Sequence, residues 1–502
     1  MTDVSDTKMQ VPNEKDESSL KGPGASESQS VHIPRHTSFV NIVVVVTACL
    51  GGFLYGFSAN TISGTLAQTT FIARFLSGSN ATQITDGLLG GFLGGAMIGS
   101  LVQAPIANKF GRKIANACAS ITVIVSAALQ AGSVSIDMFL TARVLCGIGA
   151  GMVLANTPVY MSEVSPPHNR GLLVGLQGVG IVTAYIVASL CALAFSFVKS
   201  AIQWRLNFIV LAGIACIHLG SLYFLPESPR WLMEKGRDED AKKVLQYLHN
   251  TKDDPDATLA QAEAVQIKAQ VETEKLLPKG FIYIFSTPHL RKRAFCSILL
   301  WIMGQGTGIT AIANLVPTFM AGLGFGTTVQ LGLGVVWSVF IGGIGSAAIL
   351  SVMAALVKYY LGSTDKAGTN ALVALYFIFG AFFTSTVECT SYVYGSEIWP
   401  THLRSEGSTL AYASFFGNAI AYSAPVSVAL KTIGWEFYMI LVSVTVVSAI
   451  GIFFYFPETM GLSLEEINHT FGDKVEVELK DVFAGESHGA VLVDSVGSSK
   501  SE

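Results

Sequence analysis

Charge is spread so unevenly along this chain that it dictates the medium in which the chain can fold. Of its 31 basic and 35 acidic residues, 11 fall in residues 41–225 and 9 in residues 294–456; the other 46 share the remaining 154 positions. Two long apolar blocks are thus flanked and separated by three polar segments. Soluble domains carry about 25% charged residues, against 13% here, and 51% of the chain is hydrophobic, which also excludes a disordered chain. The pattern is that of an all-α polytopic membrane protein. A net charge of −4 gives no sign of a nucleic-acid partner.

All seven cysteines sit in apolar stretches, which argues against a disulfide framework. No C-x-x-C pair or histidine cluster suggests a metal, and no cofactor is expected. Residues 1–37 read as a polar, disordered tail. A secretory signal would carry its apolar core nearer residue 1, so the first span acts as its own membrane signal.

A helix needs about 20 apolar residues to cross a bilayer. The first block yields spans at 38–60, 86–107, 114–133, 137–161, 171–195 and 204–225. The second yields 294–316, 328–357, 371–395, 405–430 and 435–456, an odd total. Gly90, Gly91, Gly94, Gly95 and Gly99 suggest close helix packing rather than lipid contact. Lys109, Arg112 and Lys113 follow the second span; Arg230, Lys235 and Arg237 follow the sixth; Arg291, Lys292 and Arg293 precede the seventh. The positive-inside rule places these in the cytoplasm, with both termini. Asn80-Ala81-Thr82, a glycosylation acceptor, then lies outside. The connector 226–293 has helix-forming stretches at 238–250 and 258–275, read as a solvated, salt-bridged pair rather than a separate binding domain.

Two motifs recur. Glu163-Val164-Ser165-Pro166 leads to Arg170, and Glu397-Ile398-Trp399-Pro400 leads to Arg404, with a Glu-to-Arg spacing of seven in both. Pro226-Glu227-Ser228 closes the sixth span and Pro457-Glu458-Thr459 the last. The nearly equal offsets indicate two homologous halves, 38–225 and 294–461, with 462–502 as a second cytoplasmic tail.

With Gly111-Arg112-Lys113, Arg143 followed by Gly147, Gly149 and Gly151, Pro158–Glu163, Pro226–Leu232, Tyr392–Glu397 and Pro457–Ser463, the chain resembles the sugar-porter family of the major facilitator superfamily, in its fungal hexose-transporter-like branch. The resemblance covers roughly residues 40–470. It implies a major-facilitator fold of two pseudo-symmetric helical halves, no enzymatic step, a plasma-membrane location, and a sugar or similar polyol moved by alternating access. Oligomeric state is not implied, and lipid is the surrounding partner.

Arginine and carboxylate groups at cytoplasmic helix ends can pair across the halves and release when the inside opens. Arg112, Arg143, Glu163, Arg170, Glu227, Arg230, Glu397, Arg404 and Glu458 take this role, or else only anchor helix ends. As surface pairs they would contribute about 0–1 kcal/mol each, which suits a latch. A midplane site should draw inward-facing polar groups from several helices. The family's sugar segments map onto Gln177, Gln305, Thr310, Asn314, Tyr392 and Asn418. Several depart from the pattern: Gly304 replaces the first glutamine of the seventh-span segment, Thr310 its asparagine, and Tyr392 a tryptophan. Each of these groups could equally bond helix to helix.

The family's symporters carry an Asp in the first span, where this chain has Ser58; Asn108 likewise stands where the second-span loop has an Asp. Transport is therefore expected to be facilitative. The carboxylate inside an apolar segment, Glu388, leaves a proton-coupled alternative, or could bind a polar substrate or reach a water-filled cavity. The other alternative is a non-transporting sensor or inactive variant, because the region of spans 8–9 is apparently shortened. No Lys or Arg occurs between Arg293 and Lys358, so the second basic loop is missing. Residues 328–357 are expected to form a broken or re-entrant element kinked near Gly342, Gly343 or Gly345. A single crossing there would invert everything after it.

Overall fold

The structure is a computed structural model. It describes residues 37–78, 80–249, 258–275, 277–308, 346–360, 388–423, 432–457 and 464–473, with isolated positions between 367 and 429. No strand occurs among them. Thr310, Asn314, Glu458, the proposed kink at 342–345, residues 1–36 of the first tail and 474–502 of the second lie outside the described residues.

The first half holds six helices long and apolar enough to cross a membrane: α1 Phe39–Leu66, α2 Ala81–Phe110, α3 Arg112–Ala131, α4 Ile136–Val164, α5 Arg170–Ser196 and α6 Gln203–Ser221. All six spans read from the sequence are present. Their ends follow local chemistry. Ser38 and Ser135 accept from the backbone N–H groups of Val40 and Met138 and so start α1 and α4. Gly111, at φ 99°, separates α2 from α3. Exposed apolar side chains such as Ile98, Val125, Leu172, Val179 and Ile217 line the outer surface of these helices, as a lipid-facing surface requires.

The connector forms α7 Asp238–His249 and α8 Thr258–Glu274, close to the ranges expected. It is less solvated than expected. Leu232, Met233, Ala241, Leu245, Ala260, Ile267 and Val271 make a core of their own. The His249–Glu263 ion pair, at 2.9 Å, is buried beneath it. The second half continues with α9 Pro288–Gly306, α10 Ser346–Tyr360, α11 Cys389–Glu397, α12 Arg404–Ser423, α13 Glu436–Tyr455 and α14 Leu464–Phe471. The halves meet where α12 packs on α2 and α4, and where α11 packs on α5 and α4.

The repeat is visible as geometry. In each half a helix ends at the motif glutamate or next to it. A proline and a 3-10 turn follow, Pro167–Asn169 or Thr401–Leu403, and the next helix starts on the motif arginine. Both turns lie at the connector end, so the chain between α9 and α11 does not invert the second half. The described ends of the chain come to the same end. Thr37 bonds His168 and Asn169, and Arg293, beside the start of α9, bonds Asn468. Asn468 is only 1% exposed, and its side-chain oxygen accepts from Arg293 at 3.0 Å. Asn80 is exposed at the opposite end of α2.

The glycines predicted to pack do so selectively. Added Cβ atoms on Gly95 and Gly99 would collide with the backbone of Val144 and Ile148, and on Gly147 and Gly151 with that of Phe92 and Ala96. Gly91 only brushes Val144, while Gly90 and Gly94 meet nothing. So α2 and α4 cross backbone to backbone on one reciprocal stripe. Gly151→Leu is expected to destabilise the protein by about 3 kcal/mol or more, whereas Gly94→Leu should be near neutral. Thermal unfolding in detergent measures the difference, and equal melting of the two variants would contradict the stripe.

Candidate functional site

Glu163, the last charged residue of α4, is wholly buried. Arg112, the first residue of α3, grips it bidentately: Nε to Oε2 and Nη2 to Oε1, each at 2.9 Å. Arg404, from the other half, brings Nη1 to 3.6 Å from Glu163 Oε1. Buried Glu397 of the second half lies within electrostatic reach of Arg170 and Arg404. Arg170 itself donates from Nε to the Ser162 carbonyl at 3.1 Å. Arg404 thus approaches the glutamate of the other repeat, and Arg170 lies within electrostatic reach of Glu397.

Further contacts surround this knot. Glu227 accepts from the backbone N–H groups of Arg112 (3.0 Å), Lys113 (3.2 Å) and Ser228 (2.9 Å), capping α3 with a carboxylate. A side chain at Gly111 would collide with it. Burial pushes the Glu227 carboxyl above its usual range, against the pull of those N–H groups and Arg112. Between the halves, Arg230 donates to Thr401 Oγ1 at 3.2 Å and Asn108 to Glu406 Oε1 at 2.9 Å. Thr409 donates to the Ser100 carbonyl at 3.0 Å, with Gln103 Oε1 at 3.3 Å; Gln103 bonds Asn156, and Asn156 donates to the Arg112 carbonyl. From the connector, Glu274 accepts from the His402 backbone at 2.8 Å and pairs with its ring at 3.2 Å. Burial alone would raise the Glu263 and Glu274 carboxyls; hydrogen bonds from His249 and His402 outweigh it and hold both low.

Two sequence expectations need correction. The pairs are not weak surface bridges, because Arg112, Glu163 and Arg404 are each 2% exposed or less. Removing one partner of such a buried pair costs about 3–5 kcal/mol. And Arg143 is not part of the cluster. It sits twenty residues before Glu163 on α4, about 30 Å away along the helix, with Nη1 on the Ser58 carbonyl (3.2 Å) and its guanidinium over the Phe92 ring (4.4 Å). The helical rise separates two residues that the sequence motifs had grouped by charge.

Of the predicted substrate residues, Gln177, Gln305, Tyr392 and Asn418 are described, and all are buried or half-buried. Gln177 is buried against Gly52 of α1, with neither amide atom hydrogen-bonded. Asn418 donates to the carbonyl and hydroxyl of Ser414 in its own helix. Gln305 is buried in the last turn of α9. Tyr392 differs: its hydroxyl donates to Glu388 at 3.1 Å and its ring stacks on Tyr412. Trp301 packs on both rings and, edge to face, on Phe415. Trp301 and Tyr412 were missed. The available signal was helical spacing, since Trp301 lies one turn before Gln305 and Tyr412 one turn before Phe416.

A family model described as "Sugar (and other) transporter" matches residues 44–471. The chain belongs to that family. Among its relatives in it, the MFS-type transporter criB of Aspergillus cristatus is 30% identical over 450 residues, covering 85% of this chain and 92% of criB. The high-affinity hexose transporter HXT7 of Saccharomyces cerevisiae is 27% identical over 497 residues, covering 91% and 86%. These family relatives are transporters, not enzymes. In structure, the chain is similar to the E. coli proton:xylose symporter XylE bound to 6-bromo-6-deoxy-D-glucose. That match has a TM-score of 0.76 at 22% identity and covers 87% of this chain and all of the other. The major-facilitator fold expected from the sequence is the fold observed.

Arg404→Gln keeps a polar side chain but removes the cation facing Glu163 from the other half. It should fold and loosen the connector end, labelling a cysteine placed at buried Ser405 several-fold faster than in the parent. Unchanged labelling would leave the cross-half contact with no part in closure.

Proposed function

We propose that this sugar-family chain carries a sugar or similar polyol across the plasma membrane by alternating access, without coupling to protons. The observation that carries the reading is the 3.6 Å approach of Arg404 to Glu163 across the two halves, with Arg170 and Glu397 within electrostatic reach of each other at the same end. Contacts concentrated at one end give two rigid halves a closed state there, and rocking about a central site opens it. HXT7 and XylE, named for hexose and xylose, support the substrate class. Ser58 at the first-span carboxylate position supports the uncoupled mode. The excess of Lys and Arg at the connector end supports a cytoplasmic connector, with both termini inside and Asn80 outside. Gln177, Gln305, Tyr392 and Asn418, with Thr310 and Asn314, remain the proposed sugar contacts.

A second reading has one observation in its favour. Glu388, hydrogen-bonded to Tyr392, faces Tyr55 and Tyr185 of the first half and could carry a proton between states. Radiolabelled hexose uptake in a hexose-transport-deficient yeast, with and without a protonophore, separates the two. Equilibration that ignores the protonophore is expected. Accumulation that collapses with it would replace the uncoupled reading with symport, and no uptake by well-expressed protein would favour a sensor.

A further inference from the structure

The seam between the halves around Glu388 is built from aromatic rings rather than from the amides that grip a neutral sugar. Glu388 precedes α11, nine residues before Glu397, and so lies about 13 Å from the charged knot along the helix. Tyr392 donates to its Oε1 at 3.1 Å. Tyr55 of α1 and Tyr185 of α5, both on the opposite half, lie within electrostatic reach of the same carboxylate. Tyr392 and Tyr412 stack with ring centroids 6.3 Å apart, Trp301 lies 5.7 and 5.8 Å from them, and Phe416 meets Tyr55 at 6.2 Å. Two buried donors within this cluster, Trp301 Nε1 and Tyr412 Oη, have no hydrogen-bond partner.

The Tyr392 hydroxyl that donates to Glu388 softens the cost of burying a carboxylate. Aromatic faces carry a negative quadrupole. A carboxylate at the edge of an aromatic cluster can recognise an ammonium group, and orphaned N–H and O–H groups in the same cluster suit ligand hydroxyls. At the same time, Gly304 and Thr310 stand where the family's seventh-span segment has a glutamine and an asparagine.

We propose that the Glu388 seam binds a protonated nitrogen of the transported molecule, making the substrate a hydroxylated amine, of which an amino sugar is the simplest case. The proposal rests on the reading of the chain as a transporter with its site between the halves. It differs from a proton-carrying Glu388 in what it demands of the ligand.

Counterflow in proteoliposomes of the purified full chain tests it, because exchange needs no driving force. Labelled glucosamine and glucose are the probes, with N-acetylglucosamine as a neutral competitor of the same skeleton. Glucosamine is expected to exchange at lower concentration than glucose and to resist competition by N-acetylglucosamine. Glu388→Gln should raise its half-saturating concentration about tenfold or more, with an unchanged melting temperature. Tyr392→Phe, which keeps the ring and loses the hydroxyl, should have a smaller effect. Glucose exchange without preference for the amine overturns the proposal and leaves the transporter reading standing. So does glucosamine exchange that is unaffected by Glu388→Gln, with only pH-driven accumulation lost, since that makes Glu388 a proton carrier. Exchange of neither sugar overturns both readings.

Discussion

A carboxylate buried between guanidinium groups from two halves is the constraint on which this structure turns. Glu163 cannot stay ionised in an apolar interior without compensation. Arg112 supplies it from within the half, by a bidentate grip, and Arg404 adds charge from the other half at longer range. The asymmetry matters. The pair inside the half holds α3 to α4 whatever the other half does, while the 3.6 Å contact can lengthen without leaving Glu163 bare. In the proposed cycle this division lets the ends part without exposing an uncompensated charge.

The connector joins the same arrangement. Trp231 holds it to the first half by donating to the Asn108 carbonyl, Arg230 reaches Thr401, and Glu274 ties α8 to His402. A segment read from sequence as a solvated pair of helices therefore spans both halves. Its charge run misled because it mixes outward residues such as Lys242 and Glu239 with buried ones such as Glu263 and His249. Composition cannot sort the two. Position on the helix, and the partner it meets, can.

What was legible in the sequence follows from what is local or repeated. The six spans of the first half were readable as apolar runs of bilayer length, though not to their exact ends. The two Glu-x6-Arg motifs were readable because the repeat wrote them twice, and the structure brings all four residues to one end. Arg143 was misplaced because charge in a motif says nothing of depth, which the 1.5 Å rise per residue decides. The aromatic seam was not legible, since Tyr55, Tyr185, Trp301 and Tyr412 come from four helices whose azimuths only the packed fold fixes. Gln177 and Asn418 are buried or half-buried polar residues, but Gln177 lies against Gly52 with neither amide atom hydrogen-bonded, and Asn418 bonds within its own helical turn.

The glycine stripe between α2 and α4 has a mechanical consequence. Backbones in direct contact leave no side-chain cushion to compress, so α2 and α4 must translate as one piece. The same α2 carries Ser100, Gln103 and Asn108, which reach Thr409 and Glu406 on the other half. Stiffness is thus placed immediately behind the polar surface that has to slide. In the proposed cycle, displacement of the halves breaks and remakes those hydrogen bonds along with the Arg404–Glu163 contact, and water can substitute in them. The hinge, in this sense, is chemical rather than elastic, and its resistance is set by how many such bonds must be exchanged at once.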